Sequence, residues 1–227
     1  MSHLPPSSRI LITSGPTREY LDPVRFLTNA SSGRMGVALT EAVLEYGDVP
    51  VVVSGPISRS YPKNAEVHWV ETTAQMLQCC ETLFPTCEGV IGAAAPCDFK
   101  PMVFSEQKLT KSDTSIEFLL RLESTPDILA ALGRKKRPNQ WILGFALETK
   151  NDRERALEKL RRKNCDFIAL NGPESIDHED ATLEVFDDRG RLVVILAGKK
   201  RQLATELLTL MKEKYETAKP SGKLARG

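Results

Sequence analysis

Residues Thr13 to Gly36 read TSGPTREYLDPVRFLTNASSGRMG, and this stretch decides the fold. It follows a short apolar run, Arg9-Ile10-Leu11-Ile12, of the kind that forms a buried strand. It leads into a helical pattern that starts at Gly33. Between the two lies a long loop dense in Gly, Pro, Ser, Thr and Asn, carrying Arg18 and Arg25. A strand that empties into such a loop and then a helix is a common cradle for a nucleotide or phosphate. The loop holds neither G-x-G-x-x-G nor G-x-x-x-x-G-K-[ST]. It is therefore neither the ordinary dinucleotide fingerprint nor a P-loop, and that departure is what makes it diagnostic.

Outward from this loop, strand-like apolar runs alternate with helical patterns. Strands are expected over Arg9–Ser14, Pro50–Ser54, Glu66–Val70, Gly89–Ala95, Trp141–Ala146 and Asp166–Leu170. Helices are expected over Gly33–Tyr46, from Thr73 to Phe84 and over Asp152–Lys163. This alternation predicts an α/β fold, a mostly parallel sheet with helices on both faces. Asp98–Glu123 breaks the rhythm. Lys108-Leu109-Thr110-Lys111 and the alternating Ser115–Glu123 read as an arm bearing a β-ribbon rather than a crossover helix. Excursions of this length are lids or interface arms. Ala181–Asp187 and Leu192–Ala197 flank Asp188-Arg189-Gly190, a hairpin signal, and a helix over Lys199–Tyr215 closes the chain. One domain over residues 1–227 is expected, with a disordered tail from about 217.

The bulk composition excludes several classes. The 227 residues carry 31 basic and 30 acidic side chains, a balance that disfavours nonspecific nucleic-acid or membrane binding. The basic stretch Lys212 to Arg226 reads as a solvated helix end and terminus. The five cysteines are odd in number and contain no C-x-x-C pair, so neither a disulfide framework nor a zinc site is expected. The start, MSHLPPSSR, has no apolar signal region, and no apolar run is long enough to span a bilayer. The expected location is cytoplasmic.

Ligands of open α/β sheets sit beyond the carboxyl ends of the strands. The segments there are Gly15-Pro16-Thr17-Arg18, Ser54-Gly55-Pro56, Ala93 to Phe99, Phe145 to Thr149 and Asn171-Gly172-Pro173. Most are small, polar or rich in Gly and Pro. Ser31 and Ser32 read as N-cap residues of the helix at Gly33, either as capping alone or with an anion on the helix N-terminus. Arg25 reads as a bidentate phosphate contact or as a surface ion pair with Asp22. Ala93, Ala94 and Ala95 would let a flat base lie on the backbone, with Asp98 accepting from its exocyclic amine, or else serve tight packing. Lys159 and Lys163, an i,i+4 pair with Arg155 and Arg162 nearby, read as a solvated face or a polyphosphate clamp. His3, His68 and His178 lie outside the rim loops, which disfavours a triad hydrolase. Phosphoryl or nucleotidyl transfer, which runs on positioning and charge neutralisation, fits better.

Taken in order, SGPTREYLDPVRFLTNASSGRMG, AAAPCDFKP, KLTK, TPDIL, LGFALET and KLRRKNCDFIALN span Ser14 to Asn171. Together they resemble the phosphopantothenate–cysteine ligase family of coenzyme A biosynthesis, in bacteria often the C-terminal half of a bifunctional flavoprotein. The resemblance implies a Rossmann-like fold and a homodimer with shared active sites. It implies activation of the 4′-phosphopantothenate carboxylate by a nucleoside triphosphate with Mg²⁺, giving an acyl-nucleotide and pyrophosphate. Cysteine then attacks through its amine. CTP is the nucleotide expected; no flavin and no decarboxylation are expected of this chain.

By the same resemblance, Asn29 and Lys108 are the catalytic residues, Lys108 opening the K-x-K-K motif on the arm. Arg25 reaches the substrate of the partner subunit, and Asn29, Ala94 and Ala95 line the substrate. The nucleotide-binding set is Gly15, Ser31, Ser32, Gly33, Gly92, Ala93, Ala94, Asp98 and Lys108, the turn Pro126-Asp127-Ile128-Leu129, and Phe145, Lys159 and Lys163. No metal ligands are assigned. The chain departs from the family pattern at Thr110, Thr125, Ala95-Pro96-Cys97-Asp98 and Leu170-Asn171-Gly172. A nicotinamide- or flavin-dependent oxidoreductase is the rival reading. It would want an acidic residue after the second strand, where Ser54-Gly55-Pro56 stands. A non-catalytic binding protein is a third reading, disfavoured by Asn29 and Lys108.

Overall fold

The computed structural model describes residues 7–110, 118–147, 152–172 and 178–216. Chain order runs β1 (Arg9–Ser14), β2 (Arg18–Tyr20), β3 (Phe26–Thr28), α1 (Arg34–Glu45), β4 (Val49–Ser54), β5 (Glu66–Trp69) and α2 (Thr73–Leu83). It continues with β6 (Gly89–Gly92), β7 (Phe99–Pro101), β8 (Leu122–Ser124), α3 (Ile128–Lys135), β9 (Trp141–Leu147) and α4 (Asp152–Arg162). β10 (Phe167–Asn171), β11 (Asp180–Asp187), β12 (Leu192–Lys199) and α5 (Lys200–Glu216) complete it.

Eight strands form one sheet in the order β12-β11-β10-β9-β6-β1-β4-β5. The first six of these in sequence, β1, β4, β5, β6, β9 and β10, run parallel. β11 and β12 add the expected antiparallel hairpin at one edge. Ile10, Leu11 and Ile12 of β1 and Val51, Val52 and Val53 of β4 are wholly buried. Continuous apolar runs of this kind mark strands covered on both faces. One core joins α1 and α5 to the sheet through Leu39, Val43, Leu203 and Leu207. The other joins α2, α3 and α4 through Met76, Leu132 and Leu160.

From β1 the chain winds first toward β5, then back across to β6, β9 and β10. The reversal opens a crevice between β1 and β6 at their carboxyl ends, where open α/β sheets bind ligands. Two elements there go beyond the sequence reading. The stretch Pro126 to Leu129, read as a turn, is the entry to α3. Asp127 is its N-cap, accepting from Ala130 N at 3.1 Å. Inside the long loop, β2 and β3 pair as a short hairpin, held by Arg18 over the Phe26 ring at 4.5 Å and by Tyr20 edge-on to it.

β6 ends at Gly92, short of the expected Ala95. Beyond Gly92 the backbone peels off along the extension of β1, with Ala93 N bonded to Thr13 O at 3.1 Å and Ala95 N to Gly15 O at 2.9 Å. The arm carries its ribbon as β7 paired with β8. Residues Lys111, Glu148, Thr149, Pro173 and the tail from 217 lie outside the described residues.

Candidate active site

The long loop after β1 is bolted down by buried polar contacts. Glu19 is buried, and its Oε1 accepts from Thr73 N at 2.8 Å, at the start of α2. A carboxylate at a helix N-terminus is favoured by the unpaired N–H groups there. Thr17 Oγ1 sits 2.8 Å from Thr73 Oγ1 and accepts from Cys97 N at 2.8 Å. This joins the loop after β1 to the loop after β6. Thr125, the departure before Pro126, adds to the same seam: its N donates to Asp98 O at 3.0 Å and its hydroxyl donates to Cys97 O.

Two clefts open on this platform. The larger, about 470 Å³, is lined by Asn29 to Met35, Ala93 to Ala95, Asp98, Phe145 to Leu147, Lys159, Asn171 and Lys200. The smaller, about 210 Å³, takes in Gly92, Asp98, Pro126 to Leu129, Phe145, Lys159, Arg162 and Lys163. They share Ala94, Asp98, Phe145 and Lys159. Residues dispersed over at least seven segments of sequence therefore converge on one double cavity. Gly15, Arg25 and Lys108 lie outside both linings.

Ser31 and Ser32 do not cap α1. The N-cap is Gly33, at φ 71°, with no side-chain acceptor on the first turn. The left-handed conformation suits glycine; a Cβ there would also stand 2.7 Å from the Ile57 side chain. Ser31 instead accepts a marginal 3.5 Å bond from Gly33 N. The serines line the larger cleft, and the helix N-terminus faces it without a capping side chain.

Asn29 bridges the two rim loops: its Nδ2 donates to Pro96 O at 2.9 Å and to Ala95 O at 3.3 Å. Among the described residues no donor reaches its Oδ1. The N–H groups of Ala93, Ala94 and Ala95 all donate to β1 or its extension, Ala94 to Thr13 Oγ1 at 3.3 Å. A ligand lying on this run thus meets methyl groups and carbonyls. Gly92 sits beneath Leu129; a Cβ there would come within 2.6 Å of the leucine methyl.

Within the chain Arg25 pairs with Asp22. Its Nε and Nη2 reach Asp22 Oδ2 at 2.9 and 2.6 Å, and Nη2 also donates to Leu109 O at 2.6 Å. Asp22 is wholly buried and also collects the N–H groups of Val24, Arg25 and Leu109. Burial alone would raise the Asp22 pKa; the Arg25 guanidinium and those three N–H groups outweigh it and hold the carboxyl well below the ordinary aspartate range. The group is depressed, so the stability it contributes is present above the ordinary range and is lost as pH falls below it. The clasp ties the middle of the arm, beside the exposed Lys108, to the loop after β1.

Asp127 holds both Lys163 Nζ, at 3.1 Å, and Arg162 Nη2, at 3.4 Å. Lys159 lines both clefts, so the i,i+4 lysines lie on the ligand side of α4. Sequence reasoning missed Arg34 and Lys200 as site residues, and placed Asn171 on the rim without giving it a role. Asn171 Oδ1 is buried with no hydrogen-bond donor among the described residues, and Lys200 is only 8% exposed. A buried lysine at a strand–helix joint carries no local motif, which is why the sequence conceals it. Among the described residues there is no group of three or more His, Cys, Asp or Glu that could hold a metal ion. The five cysteines are free. Burial raises the Cys165 thiol to about 12, so it is inert near neutral pH. No helix of the described residues is long and apolar enough to cross a membrane.

The family profile described as the DNA/pantothenate metabolism flavoprotein C-terminal domain matches residues 6–215. A cysteine/cysteine sulfinic acid decarboxylase from an unknown prokaryotic organism is 36% identical over 205 residues, covering 88% of this chain and 56% of that protein. The coenzyme A biosynthesis bifunctional protein CoaBC of Bacillus subtilis is 42% identical over 163 residues, covering 71% of this chain and 39% of that protein. The chain thus spans about half the length of the curated relatives it matches. The crystal structure of the C-terminal domain of a CoaBC protein aligns with a TM-score of 0.77 and 33% identity, covering 92% of this chain and 96% of that domain. Fold and sequence agree: the chain belongs to the DNA/pantothenate metabolism flavoprotein C-terminal domain family, the family of the C-terminal domain of CoaBC.

Proposed function

We propose that this chain joins 4′-phosphopantothenate to cysteine through an acyl-nucleotide, with CTP as the preferred triphosphate. The observation that carries this reading is the double cavity. A nucleoside-sized cleft opens into a larger one across Ala94, Asp98, Phe145 and Lys159. An acyl-nucleotide is a covalent union of two reactants, and it needs two adjoining compartments with the reacting atoms at the junction. The Rossmann-type rival lacks support at the end of β4. Ser54 there is buried and engaged by Tyr61 Oη at 2.9 Å, so no carboxylate meets a ribose.

In the first step the pantothenate carboxylate oxygen attacks the α-phosphorus and the bond to pyrophosphate breaks. Lys159 and Lys163 neutralise the charge that develops, with Lys108 brought in by the arm. In the second step the cysteine amine attacks the acyl carbon. The C–N bond forms, the acyl–phosphate bond breaks, the nucleoside monophosphate leaves, and the amine proton passes to solvent. Asn29 holds the acyl-nucleotide at the lip between the loops; its Oδ1 is the acceptor available to the incoming amine. Magnesium would supply charge neutralisation on the phosphates. The described residues build no cage for it, which suits an ion that keeps several waters and binds largely through substrate phosphates. Mixing protein with CTP and phosphopantothenate but no cysteine should yield the acyl-nucleotide and an equal amount of pyrophosphate. Failure to form that adduct, by mass spectrometry, would remove the intermediate.

The arm has two roles in this reading. It exposes Phe99, Met102, Val103 and Phe104, with Val103 at 77% exposure. A second copy of the chain would cover these side chains and bring Arg25 to the partner's substrate. Arg25→Ala should then raise the KM for phosphopantothenate about ten- to a hundredfold, the worth of a charge-assisted contact. The KM for CTP should change little. A strictly monomeric, fully active enzyme in sedimentation and kinetic measurements would contradict shared sites.

Closure of the arm over nucleotide would keep water from the reactive acyl-nucleotide. Lys108→Gln should lower kcat, and Thr110→Lys should change it little. Proteolytic cleavage beside Lys108 should slow on adding CTP and Mg²⁺. Equal cleavage rates with and without nucleotide would mean that the arm is not a lid.

A further inference from the structure

The arm meets the loop after β1 at one buried carboxylate, Asp22, whose two oxygens have different tasks. Its Oδ1 accepts from Val24 N and Arg25 N, both at 2.8 Å, which closes the local turn. Such a turn needs no more than this, and asparagine supplies it equally well. Its Oδ2 accepts from Arg25 Nε at 2.9 Å, Arg25 Nη2 at 2.6 Å and Leu109 N at 3.2 Å. Arg25 Nη2 in turn donates to Leu109 O at 2.6 Å. The peptide groups on either side of Leu109 are thus both held, one by each member of the ion pair. Ser105 N adds a further tie, to Leu21 O at 2.9 Å. Lys108, exposed, leaves the chain directly beside this anchor. None of these bonds uses Arg25 Nη1, and the arginine side chain is 48% exposed. One edge of the guanidinium is fixed while N–H groups are left for an oxyanion. A buried carboxylate is costly unless paired. The pairing here joins an arginine to the backbone of the arm, which the turn itself does not require.

We propose that Asp22 is a positioning residue that holds Arg25 and the Lys108 segment of the arm in one fixed relation. It touches neither reactant and acts through those two side chains. The inference rests on the ligase reading for what Arg25 and Lys108 act on.

Asp22→Asn keeps the turn acceptor, removes the charge and sets an amide against the Oδ2 donors. Two readouts on the folded variant test the proposal. Native-state proteolysis beside Lys108, without ligand, should run about tenfold or more faster than in wild type, the scale of losing charged hydrogen bonds. Double-mutant cycles read the functional consequence. Lys108→Gln should lower kcat about tenfold or more in the wild-type background, and less than about threefold beside Asp22→Asn. Arg25→Ala should likewise raise the KM for phosphopantothenate by a smaller factor there than in wild type. If Asp22→Asn does not fold, Asp22→Ser, which retains a turn acceptor without the opposing amide, takes its place. A merely structural Asp22 would lower stability and leave both costs at their wild-type size. Additive costs, or unchanged cleavage, in an active ligase would overturn the positioning role alone. Faster cleavage in the variant, with no turnover even from wild type, would leave the clasp standing and the ligase reading fallen.

Discussion

Asn29→Asp should lose about a hundred- to a thousandfold in amide formation, the scale of removing one preorganised polar group from a reacting centre. The reason lies in its two hydrogen bonds. The wild-type amide donates to Pro96 O at 2.9 Å and Ala95 O at 3.3 Å. A carboxylate in that place turns two attractions into repulsion between oxygens and pushes the rim loops apart at the junction of the clefts. Its negative charge also opposes the acyl phosphate. The smaller cleft does not contain Asn29, so nucleotide affinity should persist and the acyl-nucleotide should accumulate. Quenched-flow product analysis separates the steps. Product formation at the wild-type rate would take Asn29 out of the mechanism.

Gly55→Ala should unfold the site from beneath. A Cβ on Gly55 would lie 1.6 Å from Pro16 O and 2.8 Å from Pro16 C. Both are backbone atoms, so no rotamer change relieves the clash. Gly55 N is itself bonded to Ser14 O at 3.0 Å, which leaves the end of β4 little room to retreat. The loop it would displace carries Thr17, the partner of Cys97 and Thr73. Overpacking against fixed backbone belongs with the severe single-site effects, at about 3 kcal/mol or more. For a chain of this size that is a fall in Tm of about 6–12 °C. Turnover should fall with it, since the loop after β1 carries Asn29. An unchanged Tm would show that the loop after β1 shifts freely, against the account of a bolted platform.

The central strands were legible because their signal is local. The run through Ile10 to Ile12 and the valines of β4 are apolar throughout, and burial on both faces follows from that alone. The closing hairpin announced itself through Asp188-Arg189-Gly190. The serines before α1 misled because capping depends on which residue starts the helix. With Gly33 left-handed at the N-cap, Ser31 and Ser32 lie too early. Asp127 and the apolar residues after it did contain a helix start, but the binding-turn reading of Pro126 to Leu129 hid it. Arg25 is more instructive. Its neighbour Asp22 was visible as a partner, whereas Leu109, which closes the clasp from the arm, is brought in only by the fold. Lys200 reaches the cleft through the order of β10, β11 and β12 in the sheet, a relation that no local spacing encodes, whereas Asn171 was visible as the end of a strand. Helical spacing picked out the α4 lysines, and resemblance to a family gave them and Asn29 their expected roles; geometry added residues around them.

One assay bears most directly on the central claim. Purified protein is supplied with 4′-phosphopantothenate, cysteine, Mg²⁺ and either CTP or ATP, while pyrophosphate and the condensed product are measured together. Equal amounts of pyrophosphate and phosphopantothenoylcysteine should form, faster with CTP, and product should require cysteine. Absence of product with both nucleotides, or product formed without pyrophosphate release, would contradict the account.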